Sequence, residues 1–284
     1  MSMKFTIISD SCCDLKHSEY SSEKFDFITV PITITLDEKN FSDEEYLDTG
    51  ELLKQIKASK KVGTACPSPD KFLEIMREKD NIICITLSLK LSGAYNSARV
   101  AANTALEESP DKKIFVLDSL TASAGLSLIL NKLMKIIETG AYKDFDDVTR
   151  KITSIAKSTK TRLLLQDFGI LIKTGRIGKI AGLVASVLTL RTICGDNGAG
   201  EIKMYQKVIG QKRALQALGK CVAEKAETEG EDMPVVINHC NNETDAAFLK
   251  TLLQSLYKLK NIAVSAMRGV ACLYASDKGL TLAY

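Results

Sequence analysis

The chain alternates short apolar runs with longer amphipathic stretches. Residues 5–8, 82–87 and 114–117 are brief runs rich in Ile and Val, the pattern of strands buried on both faces. Each leads into a polar, serine-containing turn: Ser9-Asp10-Ser11, Ser88 to Gly93, and Asp118-Ser119. Helical spacing follows, best developed over 94–107 and 122–137. This repetition predicts a mainly parallel sheet flanked by helices, with ligand-binding turns gathered beyond the carboxyl ends of its strands. Between the first two runs, 28–35 predicts an alternating strand and 43–58 an acidic helix.

A boundary is expected between Gly140 and Ser158, which divides the chain into domains 1–155 and 156–284. The second part opens with a basic helix to about Lys160, an apolar helix near 168–174, a turn at Gly175-Arg176-Ile177-Gly178, and a helix through 182–188. Segments 192–194 and 202–208 flank Gly-Asp-Asn-Gly-Ala-Gly-Glu, a hairpin loop. Helices over 212–228 and 244–259 alternate with strands at 235–238, 263–266 and 272–275. The pattern predicts a second α/β domain with a mixed or antiparallel sheet.

Composition narrows the class. With 284 residues, 45% of them hydrophobic and 26% charged, the chain can bury a large core, which excludes disordered, collagen-like and coiled-coil arrays. Eight cysteines lack the Cys-x-x-Cys spacing, and His17 and His239 are the only histidines, so no zinc site is expected by spacing. The opening residues show no signal-peptide pattern, which predicts reduced thiols and a cytoplasmic location. No apolar run approaches the ~18 residues of a membrane span, leaving at most transient contact with a membrane surface. Charge is uneven: residues 151–220 hold 13 basic and 3 acidic side chains within a net charge of +3. Such a stretch is either a solvated basic face or a surface for an anionic partner. Nucleic acid is not expected, because no helix-turn-helix, zinc finger or RNA-binding motif presents this charge.

Two loops carry candidate chemistry. In Thr64-Ala65-Cys66-Pro67-Ser68-Pro69, Ser68 and Pro69 read as a helix start, and Thr64 stands before it without a capping duty. In Ser88 to Tyr95, Ser92 is a candidate N-cap, and Gly93 lets another group approach the backbone. A helix N-terminus with a hydroxyl beside it suits a carboxylate or phosphate. Gly175-x-x-Gly178-Lys179 has the wrong gap for a phosphate loop, and Gly195, Gly198 and Gly200 do not follow dinucleotide spacing. No local spacing links either histidine to Ser92, and His239 reads as structural.

Taken in order, these motifs resemble the DegV family of bacterial fatty-acid-binding proteins. The resemblance runs through Ile8-Ser9-Asp10-Ser11 with Asp14-Leu15, Val30-Pro31-Ile32, Thr64 to Ser68, Leu91-Ser92-Gly93-Ala94-Tyr95, Asp118-Ser119, and Thr174 to Gly178. It implies a two-domain α/β protein that holds one long-chain fatty acid between its domains. By that resemblance Thr64 and Ser92, with Gly93, bind the carboxylate, and Arg176, Met267 and Arg268 lie nearby. Ile180, Leu183, Val184 and Val187 are the expected tail-lining positions. The implied ligand is the fatty acid itself, with no further cofactor. The implied role is a non-catalytic carrier for a separate fatty-acid kinase that phosphorylates the bound carboxylate. The chain departs from the family pattern at Ala65, at Ile209 in place of an arginine, and at Met267 in place of a histidine, where a thioether can neither titrate nor donate strongly. The alternative is a small acyl- or phosphoryl-transfer enzyme built on the Ser92-Gly93 loop, for which no paired base or metal motif is evident.

Overall fold

The computed structural model describes residues 3–20, 22–177 and 190–284. Its first part runs β1 (Phe5–Asp10), β2 (Phe25–Val30), β3 (Thr33–Leu36), β4 (Lys39–Ser42), α1 (Thr49–Ala58), β5 (Val62–Ala65), α2 (Pro69–Glu78), β6 (Ile82–Thr86), α3 (Ala94–Glu108), β7 (Ile114–Asp118), α4 (Ala124–Thr139) and α5 (Phe145–Ser158). The second part runs β8 (Thr161–Leu165), α6 (Gly169–Lys173), β9 (Leu190–Asp196), β10 (Ile202–Ile209), α7 (Gln211–Lys220), α8 (Ala223–Glu229), β11 (Val235–His239), α9 (Glu243–Tyr257), β12 (Ile262–Ala266), α10 (Gly269–Ala275) and β13 (Leu280–Ala283).

The first sheet has the order β2-β1-β6-β7, and every neighbouring pair is parallel. Its central strands β1 and β6 are buried along their whole length, as their unbroken apolar sequences require. The alanines Ala94, Ala98, Ala101, Ala102 and Ala105 form the buried stripe of α3, whose small side chains let α2 and β6 pack closely. The second sheet has the order β10-β9-β8-β13-β11-β12 and is antiparallel except for the β11–β12 pair. This is the two-domain α/β architecture anticipated, with a parallel sheet followed by a mixed one.

Helix α4 explains how the two sheets meet. Its buried residues surround most of its circumference, the signature of a helix enclosed on several sides. Leu126, Ile129, Leu130 and Leu133 join the core of the first sheet, while Ala124 and Leu128 pack on Val236 and Ala283 of the second. Polar contacts add to this seam: Thr121 and Thr161 hydroxyls lie 2.7 Å apart, and Ser88 Oγ donates to the Gly200 carbonyl at 2.7 Å. Gly200 has φ +86°, and a Cβ there would come within 2.3 Å of Ser88 Oγ, so both its conformation and its space exclude a side chain.

Several sequence expectations are corrected. The strand expected over 28–35 is two strands in different sheets, because Pro31 has no N–H for a ladder and the chain turns there. The strand expected over 272–275 is part of α10, and the last strand is Leu280–Ala283, inserted between β8 and β11. A short apolar run does not distinguish a buried helix from a buried strand. The acidic helix begins at Thr49, capped by the Asp48 carboxylate, and the helix over 212–228 divides into α7 and α8. A three-stranded antiparallel sheet, β4-β3-β5, lies outside every expectation.

Candidate functional site

Strand β5 pairs with β3 so that Thr64 stands opposite Ile34. The chain then leaves the strand through Cys66 and Pro67 and enters α2 at Ser68, with Pro69 in the first turn. Ser68 occupies the N-cap position, but its side chain makes no capping bond. The second loop follows β6. Gly93, rather than Ser92, is the residue preceding α3, and the Ser92 hydroxyl accepts the Ala94 N–H at 3.3 Å. Gly93 is where the two loops meet, because a Cβ there would lie 3.0 Å from Cys66 Sγ.

A narrow cavity of about 70 Å³ opens between the two halves. The second half contributes Leu163 and Leu165 from β8, Leu171 from α6, and Val270, Ala271 and Ala275 from α10. The first half contributes Cys12, Leu87, Leu91 and Ala122 from its strand-end turns. Polar groups are few. Arg176 lines the wall, its guanidinium donating to the Thr174 carbonyl at 2.5 Å and the Leu91 carbonyl at 3.4 Å. Tyr274 also lines it, with its hydroxyl 2.8 Å from Thr64 Oγ1. Thr64 and Ser92 are not themselves in the wall, but each adjoins a residue that is, Tyr274 and Leu91 respectively.

Met267 is buried and lines the cavity. Arg268 is buried but does not: its guanidinium donates to the Leu15 carbonyl at 3.0 Å, to Thr29 Oγ1 at 3.3 Å, and to the Asp43 carbonyl. The sequence neighbour of a cavity residue thus points into the seam between the domains. Ile180, Leu183, Val184 and Val187 lie outside the described residues.

Three carboxylates, Asp10, Asp14 and Asp43, are buried. Asp10 accepts the Cys12 and Leu87 N–H groups at 3.1 and 2.7 Å, joining the ends of β1 and β6. Asp14 accepts Ser123 Oγ at 2.5 Å, Asn238 Nδ2 at 2.7 Å and the Arg268 N–H at 2.9 Å, so one side chain ties both domains together. Asp43 accepts the Gly269 and Val270 N–H groups at 2.8 and 3.1 Å, at the start of α10. Burial pushes Asp10 and Asp14 up to about 7, against the lowering effect of these hydrogen bonds. Burial raises Asp43 too, opposed first by the Arg268 charge. His239 is used structurally, its Nδ1 accepting the Asn242 N–H at 3.3 Å, and burial lowers its pKa. Among the described residues, no helix is long and apolar enough to cross a membrane, and no group of three or more His, Cys, Asp or Glu could hold a metal.

Residues 4–284 match the family model described as "Uncharacterised protein, DegV family". The chain belongs to the DegV family. It is 32% identical over 283 residues to a DegV domain-containing protein of Streptococcus pyogenes serotype M18, covering 99% of each chain. Among solved structures it is similar to the Streptococcus pneumoniae Fatty Acid Kinase (Fak) B3 protein loaded with linoleic acid, with 30% identity, a TM-score of 0.92 and 99% of each chain covered. It is also similar to a DegV family protein of Ruminococcus gnavus with vaccenic acid, at 30% identity and TM-score 0.90, covering 99% of this chain and 100% of that one. A DegV protein of Eubacterium eligens loaded with heptadecanoic acid is 28% identical with TM-score 0.89, at 98% of each chain.

Sequence reasoning missed Tyr274 and the leucines of β8. Leu163 and Leu165 are two apart on one strand, a spacing that could have marked a common face. Tyr274 carried no local signal, since its relation to Thr64 spans 210 residues.

Proposed function

We propose that this DegV protein binds one long-chain fatty acid, its tail in the apolar cavity between the domains and its carboxylate beside Thr64, Ser92 and Gly93. The observation that carries the reading is the cavity itself: its wall is mainly apolar, with leucines, alanines, Ile202, Met267 and Val270, and its polar side chains are Ser123, Arg176, Tyr274 and Thr281. A buried carboxylate needs donors, and hydroxyls with a helix N-terminus provide them without a buried cation that would need its own partner. At ~0.8 kcal/mol per buried CH₂, a sixteen-carbon tail gains on the order of 10 kcal/mol before ordering costs. The fatty acids held by related DegV structures support the same ligand class.

The proposed unit division is 1–155 and 156–284, a boundary that falls in the last turn of α5; the apolar face of α5, Ala156 included, joins the first core. The chain acts as a carrier rather than a catalyst, with the fatty acid as its only ligand. Similarity to the Fak B3 protein supports a fatty-acid kinase as its protein partner. Eight free thiols, characteristic of reducing compartments, support action in the cytoplasm. Mass spectrometry of the organic extract from freshly purified, denatured protein tests the reading. A fatty acid at one per chain is expected. An empty extract, with no uptake of added palmitate or oleate, would overturn it.

A further inference from the structure

Tyr274 lines the cavity and Thr64 does not, and the Tyr274 hydroxyl has a single hydrogen-bond partner among the described residues, Thr64 Oγ1 at 2.8 Å. The other polar side chains of the wall are occupied differently. Ser123 donates to Asp14 and lies 3.0 Å from the Thr281 hydroxyl, and Arg176 is held by two carbonyls. Each hydroxyl carries one proton, so one of the two in the Thr64–Tyr274 pair lies between their oxygens and the other is left to donate elsewhere. Both arrangements satisfy the pair, but they differ in which group faces a ligand. If Tyr274 donates to Thr64, the free proton belongs to Thr64, which is not part of the wall. If Thr64 donates to Tyr274, the free proton belongs to the phenol, the stronger donor and the one carried by a residue of the wall, and the first bond polarises the second.

The helix bearing Tyr274 is fixed from its far end. Asp14 accepts the N–H of Arg268, and Asp43 accepts those of Gly269 and Val270, so buried side chains of the first domain set the position of α10. A donor held this way loses little freedom when a ligand arrives.

We propose that Tyr274 is a head-group-binding residue, its hydroxyl donating directly to the carboxylate of the bound fatty acid, while Thr64 donates its proton to Tyr274 rather than to the ligand and so orients that hydroxyl. This assignment rests on the fatty-acid reading and refines it: the donor from α10 comes from the second domain, so head-group binding engages both halves of the molecule. Leu91 and Ser92 contribute from the opposite loop.

The test uses delipidated full-length protein titrated with oleate and, separately, with methyl oleate, which lacks the anion. A hydrogen bond to a charged group corresponds to a loss of about 10- to 100-fold in affinity when it is removed. Tyr274→Phe keeps the ring and its packing. It is expected to weaken oleate by that factor and to leave methyl oleate within a few-fold of the parent protein. Thr64→Val is expected to weaken oleate less than Tyr274→Phe, and to have little added effect when the two are combined. Equal oleate affinity in Tyr274→Phe overturns the assignment, as does an equal loss for both ligands, which would mark a packing role. A Thr64→Val loss exceeding that of Tyr274→Phe makes Thr64 the direct donor and also overturns it. If the parent protein takes up no oleate, the fatty-acid reading itself fails, an outcome distinct from these.

Discussion

Raising the pH from about 5 to above 7 is expected to destabilise this fold, and Asp10 and Asp14 carry most of the effect. Both are buried within the protein and pushed up to about 7, whereas the same groups titrate near 3.8 when unburied. Between those values the folded state holds protons that the unfolded chain has released. Folding is therefore favoured at low pH, the advantage falls as pH rises through 7, and the curve flattens above it. One proton corresponds to ~1.4 kcal/mol per pH unit, tapering as the folded group ionises, so each carboxylate contributes about 2 kcal/mol between about pH 5 and 7. The pair contributes about 4–5 kcal/mol, a large part of the ~5–15 kcal/mol that holds a typical domain. Asp43 is raised by burial and adds in the same direction. His239 opposes it, because a lowered histidine loses stability as pH falls through its unfolded value of 6.5. At more acid pH the carboxylates held low by lysines, Asp26 by Lys4 and Asp147 by Lys151, lose their stabilising charge on protonation. A stability maximum near about pH 5 results. Urea denaturation at fixed ionic strength across this range measures it. Asp10→Asn places an amide N–H₂ against the backbone N–H of Cys12 or Leu87 and costs about 1–3 kcal/mol, but it also removes roughly one proton from the slope. Stability that is flat or rising between about pH 5 and 7, or an unchanged slope in Asp10→Asn, would refute the reasoning.

Thr64→Ala combined with Ser92→Ala is expected to abolish retention of lipid through purification while the thermal midpoint stays close to that of the parent. Undiminished lipid in the extract would remove both residues from the site. Ala271→Leu adds bulk to the cavity wall and should shift retained lipid toward shorter chains, with about a fourfold loss for each methylene no longer accommodated. An unchanged chain-length distribution by mass spectrometry would place the tail elsewhere. Asp43→Ala strips acceptors from the Gly269 and Val270 N–H groups and leaves the buried Arg268 guanidinium without a facing carboxylate. A loss of about 3 kcal/mol or more is expected from urea midpoints, and a change below about 1 kcal/mol would show that α10 is held by other contacts.

The parts of this protein that depend on local pattern were legible from its residues alone. Strands β1, β6 and β7 were legible because both faces of a parallel sheet are covered, which leaves unbroken apolar runs. The β9–β10 hairpin was legible because its loop is rich in glycine, and Gly198 and Gly200 have positive φ. Residue spacing alone presented the Thr64 and Ser92 loops as two separate motifs, and it was the family resemblance that assigned both to one carboxylate. Tertiary structure decided what lies between distant segments. Whether 272–275 is helix or strand depended on the neighbours available to it, since a run of four apolar residues satisfies either environment. Adjacent residues Met267 and Arg268 point to different places, one to the cavity and the other to Leu15, Thr29 and Asp43, because the chain turns there from β12 into α10. The pairing of Tyr274 with Thr64 and the three-way hold on Asp14 join residues more than a hundred positions apart. Local pattern reports which face of an element is apolar; only the packed chain decides which polar groups are left facing one another inside it.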